Sequence, residues 1–158
     1  PHAALLKPAS FDGTFFGLCA YLPRMRGHIL VPAALVFSAL LACKSKTGGT
    51  ITVDGAPFEI DSCRSGQANV PSFDGVDFMD AGGRRVRFFI QPTGQIRTFL
   101  FPPGAKQGTF IGEGCGTVSV ERKNSRVNNV QNIKGTVSAN CTGAGHTIVA
   151  SVNFDNCH

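Results

Sequence analysis

The sequence predicts an all-β fold, an antiparallel sandwich or small barrel, and three observations predict it. Downstream of Cys43, apolar and polar residues alternate in short runs, and no window there carries a helical stripe. Turn-forming residues recur about every 8–12 positions, the spacing of strands in sandwiches and small barrels. Composition agrees, with 19 Gly, 13 Phe and no Trp, alongside many of the β-branched residues that suit a pleated, half-buried surface.

The strands follow in order. Thr50–Val53 and Phe58–Ile60 flank Asp54-Gly55-Ala56-Pro57, a hairpin signal. Cys63-Arg64-Ser65-Gly66-Gln67-Ala68-Asn69 reads as a loop. Val76–Met79 and Val86–Gln91 are joined by Asp80-Ala81-Gly82-Gly83, and Ile96–Phe101 pairs back across Pro92-Thr93-Gly94. Thr109–Ile111, Thr117–Arg122, Val127–Ile133, Gly135–Ala139 and Thr147–Phe154 complete the set. The hairpin from Arg84 to Phe101 is expected to supply much of the core, because Val86, Phe88 and Ile90 alternate with Arg85, Arg87 and Phe89. Burying one such Phe or Ile is worth roughly 1.5–3 kcal/mol.

Upstream lies a different pattern. Met25-Arg26-Gly27-His28 is a basic head, Ile29–Leu41 an apolar run, and Ala42 a small residue before Cys43. That is the three-part layout of a secretory signal peptide. The run falls short of the roughly 20 residues that span a bilayer, so a helical signal peptide over 25–42 is expected instead of a permanent span. Its end, Leu40-Leu41-Ala42-Cys43, resembles the lipobox of bacterial lipoproteins. The resemblance covers only these four residues and the signal before them. It implies lipidation of the Cys43 sulfur with diacylglycerol, cleavage before Cys43, and acylation of the new amino group, with palmitate-type chains as a membrane anchor. It also implies a place in the bacterial cell envelope, on the outer membrane or a periplasmic face. Residues 1–24 are expected to be a non-native extension, with Met25 the physiological start. Cys43–Gly49 has the small, polar composition of a lipidated tether, and 50–158 is the folded domain. That domain resembles only generic small β-sandwich lipoproteins of bacterial surfaces, a likeness that identifies no residue.

Removing residues 1–42 leaves 116 residues, enough to bury roughly two-thirds of the unfolded surface around one core. The formal charge of the whole chain is +5, but the part from Cys43 onward has 12 basic and 9 acidic side chains. A net +3 is mild, and no nucleic-acid partner is expected.

Setting aside Cys19 and Cys43, four cysteines remain: Cys63, Cys115, Cys141 and Cys157. None has the short spacing of a structural zinc site, and an even number in an exported domain reads as two disulfides. Strands near 116–122 and 133–140 would form a hairpin centred close to Asn128, setting Cys115 opposite Cys141. Cys141 adjoins the Thr142–Gly145 turn, whereas Cys157 is at the far end of the last strand, roughly 35 Å away at about 3.3 Å per residue. The expected bridges are therefore Cys115–Cys141 and, by remainder, Cys63–Cys157.

Catalytic signals are sparse. The domain has two histidines, His146 after a turn glycine and His158 at the C-terminal end, both read as solvated surface groups. No Gly-x-Ser-x-Gly elbow, His-Glu-x-x-His or P-loop is present. Gly112–Gly116 reads as a bulged strand entry beside a disulfide. Asp74, Asp77 and Asp80 lack the pattern of an EF-hand and read as solvated turn acids. No metal, cofactor or catalytic residue is expected, and the domain is read as no enzyme.

One feature points to a partner. Arg84, Arg85, Arg87 and Arg97 fall on one hairpin, and Arg85 and Arg87 share a face by the period of two. An ordinary solvated face with edge-protecting charges would look the same. The functional reading is a basic binding face of Arg85, Arg87 and Arg97, with Phe89 and Phe99 beside them, for an anionic envelope component or a protein partner. A non-catalytic, lipid-anchored binding or structural role needs only these features. An envelope hydrolase would need a carboxylate pair such as Glu59 and Asp61 in one cleft, and an inhibitor or lipid-carrier barrel would need an apolar cavity.

Overall fold

A computed structural model describes residues 45–158. The expected extension (1–24), the signal segment (25–42) and the lipidation site Cys43 lie outside the described residues. The strands are β1 (Lys46–Val53), β2 (Ala56–Pro57), β3 (Ser62–Ser65), β4 (Gly75–Met79), β5 (Arg85–Ile90), β6 (Ile96–Phe101), β7 (Thr109–Glu113), β8 (Gly116–Val127), β9 (Val130–Gly143) and β10 (His146–Cys157). They form two five-stranded antiparallel sheets, the first in the order β2-β1-β10-β9-β8 and the second in the order β3-β4-β5-β6-β7. The fold is a β-sandwich.

The chain crosses between the sheets twice. It leaves the first sheet after β2, runs five successive strands through the second, and returns between β7 and β8. Each crossing carries a disulfide. Cys63, on β3 just after the first crossing, bonds Cys157 at the end of β10, and Cys115, at the second crossing, bonds Cys141 on β9. Both pairs have Cα atoms 5.1 Å apart. A bulge near the end of β10 makes the first bond reachable. Its pairing runs Phe154↔Gly135 and then Cys157↔Ile133, with Asn156 in the left-handed region at φ 58. Phe154 faces the core, so strict alternation would turn Cys157 outward. The extra residue turns it inward instead.

Alternation builds the core. Ile51 and Val53 of β1, Val76 and Phe78 of β4, Val86 and Phe88 of β5, and Ile148, Ala150, Val152 and Phe154 of β10 are all buried between the sheets. Phe78 meets Phe88 edge-on at 6.1 Å within its sheet and Phe154 at 5.9 Å across the sandwich. Ile90, expected in the core, is only half-buried.

Four expectations need correction. Lys46–Gly49, read as tether, is the first half of β1, with Gly48 opposite Asn153 and Gly49 opposite Val152. Gly49 has φ +97, and a Cβ there would collide with the Ser151 carbonyl, so glycine here marks close strand approach rather than flexibility. Phe58–Ile60 forms no strand: Phe58 is buried in the core, and the segment is the first crossing. Cys63–Ser65, read as loop, is β3, paired to β4. Val127–Ile133 is broken by a two-residue turn, because Asn128 and Asn129 both take positive φ (50 and 65). That pair closes the β8–β9 hairpin with Val127 opposite Val130.

Candidate functional site

The turn at Asp80–Gly83 fixes the register of β4 against β5 and places Asp77 opposite Arg87. The next hairpin sets three more cross-strand pairs: Arg85 opposite Phe101, Arg87 opposite Phe99, and Phe89 opposite Arg97. Arginine and phenylalanine therefore alternate like a checkerboard on the outer face of the second sheet, directly opposed side chains being about 5 Å apart at Cβ. Arg85, Arg87 and Arg97 are indeed together, with Phe89 and Phe99 among them. Arg84 is not. It turns back to Asp80 (Nε to Oδ2, 2.6 Å) and lies over the Phe58 ring.

Two loops raise this face into a groove. One presents Pro71, Ser72 and Phe73, the other Lys106, Gln107 and Gly108, and between them lie Arg87, Phe89, Arg97, Phe99 and Phe101. The cavity is about 520 Å³, within the range of roughly 300–1,000 Å³ for small-molecule sites. Phe101 points away from the core yet is buried, covered by the second loop, where Gly108 lies against its ring with no room for a side chain.

Arg87 is the fixed centre. Its Nε and Nη2 donate to Asp77 Oδ1 and Oδ2 at 2.7 and 2.8 Å, and Nη2 also donates to Asn69 Oδ1 at 2.8 Å. Its guanidinium lies 4.1 Å from the Phe73 ring centroid and 4.9 Å from that of Phe101. Asp77, expected as a solvated turn acid, is fully buried on β4 beneath this cation. Arg85 stands 4.0 Å over Phe101 and 3.8 Å from Asp77. Burial pushes its pKa below the usual arginine value, Asp77 opposes the shift, and Arg87 and Arg64 add to it. Arg97 is engaged at Nε by Glu113 (2.7 Å), and Lys106 makes no ion pair among the described residues.

Chemically, the groove joins cations to aromatic faces. Arg87, Arg97 and Lys106 line it, against the paired acids Asp77 and Glu113, and Arg64 and Arg85 lie on the same sheet outside the lining. The lining contains no His, Asp or Glu to take a proton and no Cys thiol, and its one side-chain hydroxyl is Ser72. The Asp80–Gly83 turn signals the β4–β5 hairpin, but centring it on those four residues would pair Asp77 with Val86; Asp80 instead bonds Arg84 across Ala81-Gly82-Gly83, which sets Asp77 opposite Arg87. Phe73, Asn69 and Lys106 had no such signal, because loops without a period bring them in.

The carboxylate pair weighed for catalysis, Glu59 and Asp61, is exposed on the first crossing away from this groove. Glu121 pairs with Lys134 at 3.1 Å. His146, read as a free surface group, pairs through Nδ1 with Asp54 Oδ2 at 2.7 Å, while Asp54 Oδ1 accepts the Thr147 N–H at 2.8 Å. The His146 contact, then the Thr147 bond, holds the Asp54 carboxyl below its usual pKa. This clasp ties the β1–β2 turn to the β9–β10 turn. Among the described residues no cluster of three or more His, Cys, Asp or Glu is placed to hold a metal ion. Scans against family models, curated proteins and solved structures find no match to the chain.

Proposed function

We propose that this chain is a lipid-anchored protein of the bacterial cell envelope, held to the membrane through acylated Cys43. Its sandwich binds an anionic envelope component without catalysing a reaction. The observation that carries the reading is the groove, where Arg87, Arg97 and Lys106 stand around a floor of phenylalanines. Arg87 is already locked by Asp77, Asn69 and two rings, so little side-chain freedom is lost when an anion arrives. The signal segment and lipobox support the anchor and the location. The groove lining supports recognition over turnover.

One pair of variants separates anchor from groove. Cys43→Ala in the full chain should abolish lipidation and leave only the weaker, salt-sensitive attachment to envelope fragments. In that background R97Q/K106Q should weaken sedimentation with the fragments about thirty-fold at low salt, taking about 1 kcal/mol per cation at an anionic surface. Raising salt to about 0.5 M should release the parent as well. A Cys43→Ala chain that still carries acyl chains would defeat the anchor assignment. Fragment binding indifferent to both salt and R97Q/K106Q would defeat the groove assignment.

A further inference from the structure

Resting on that reading of the groove, we infer that its ligand is an anionic amphiphile: one molecule with an acidic headgroup and a flexible apolar chain. A free anion would need only the cations. This site adds an apolar floor that such an anion does not use, with Phe89, Phe99 and Phe101 on the sheet and Phe73 on the wall. The apolar surface continues past the cavity. Val70, next to Pro71 of the wall, is fully exposed, and Phe110, 47 % exposed, packs on Phe99 at 5.6 Å between ring centroids. These are two of the three large exposed hydrophobics among the described residues, one adjoining wall residue Pro71 along the chain and the other packed on floor residue Phe99. Exposed apolar groups gathered around a concave site mark an apolar ligand more readily than a solvated surface does.

The cations set the position of the head. Asp77 and Asn69 take the Nε and Nη2 donors of Arg87, which leaves Nη1 without a protein acceptor among the described residues. Among the described residues Arg97 gives only its Nε to Glu113, and Lys106 makes no ion pair. Three donor groups thus face one headgroup, and guanidinium groups suit the paired oxygens of phosphate, sulfate or carboxylate. The chain then lies along the phenylalanine faces.

Alkyl sulfates of six, eight and ten carbons make suitable probes for the full-length anchored chain in neutral phosphatidylcholine nanodiscs, titrated calorimetrically with empty discs subtracted. The expected result is one site, with affinity rising about fourfold per methylene until the groove is filled. R97Q/K106Q should weaken decyl sulfate about thirty-fold, and Phe99→Ala about ten-fold with its chain-length dependence flattened. Inorganic sulfate and decyl maltoside should each bind at least ten-fold more weakly than decyl sulfate. Inorganic sulfate binding as tightly as decyl sulfate, and lost in R97Q/K106Q, would overturn the amphiphile and leave the anionic groove standing. Decyl maltoside binding as tightly would overturn both, as would no saturable binding by any of the three. Because Arg97 and Lys106 lie at the surface, the double variant keeps the test decisive even where Phe99→Ala loses fold.

Discussion

Asp77 shows how one buried residue serves both fold and site. A carboxylate with no solvent exposure needs its charge met, and Arg87 meets it with two hydrogen bonds. Asp77→Ala would leave Arg87 under a protein cover with its best partner gone, at a cost of about 3 kcal/mol, the low end for a broken buried pair because Arg87 keeps some exposure. Urea midpoints would show it, and a loss below about 1 kcal/mol would mean that Asp77 is not buried as described. Acid sensitivity comes from other carboxylates. The His146 and Thr147 contacts lower the Asp54 pKa, and the Lys123 bond lowers that of Asp155. For Asp80, burial raises the pKa, but the Arg84 side-chain and backbone bonds together outweigh it. In each case the folded value lies below the unfolded one of about 3.9. Their stabilisation is therefore present above about pH 4 and is lost as pH falls through the lowered folded values. Midpoints should be flat from pH 7 to 5 and fall below 4, and a rise on acidification would contradict the pairings.

At the scale of elements, turns and alternation were legible and departures from them were not. Asp54-Gly55 and Asp80–Gly83 end strands where the sequence places them, because few other residue types accept those backbone angles. The start of β1 was hidden because Gly48-Gly49 carries no side-chain pattern, and glycine serves a flexible tether as readily as a crowded strand. The inward turn of Cys157 was hidden for a related reason: a one-residue bulge has no hydrophobic signature. Two glycines with positive φ test this view of β1. At Gly49 a Cβ would strike the Ser151 carbonyl, whereas at Gly55 there is open space. Gly55→Ala should cost about 1 kcal/mol for its backbone alone. Gly49→Ala should cost at least about 2 kcal/mol, since strain and collision combine. Denaturant midpoints with equal costs, or the reverse order, would place Gly49 outside a paired strand.

On the scale of the whole molecule, the two crossings and their disulfides hold the sheets in register while the groove forms outside the core. Cys63–Cys157 spans 94 residues and Cys115–Cys141 spans 26. Chain-entropy estimates give them about 4.7 and 3.5 kcal/mol, so the double Cys→Ala variant of the longer bridge should be the less stable by about 1 kcal/mol. Unfolding midpoints in the opposite order would show that loop length does not govern their contribution. The sandwich class could be read from strand spacing, and the basic face from the positions of its arginines. The groove could not, because its walls are loops that meet only after the sheet has folded. Hydrogen exchange on the full chain, with and without a saturating anionic amphiphile, shows whether the groove on the second sheet is where the ligand sits. Protection is predicted in peptides covering 71–73, 87–89 and 97–108, with the outer face of the first sheet unchanged. Protection centred on Gly48–Thr52 and Thr136–Asn153, or no protection in the groove peptides, would contradict that placement.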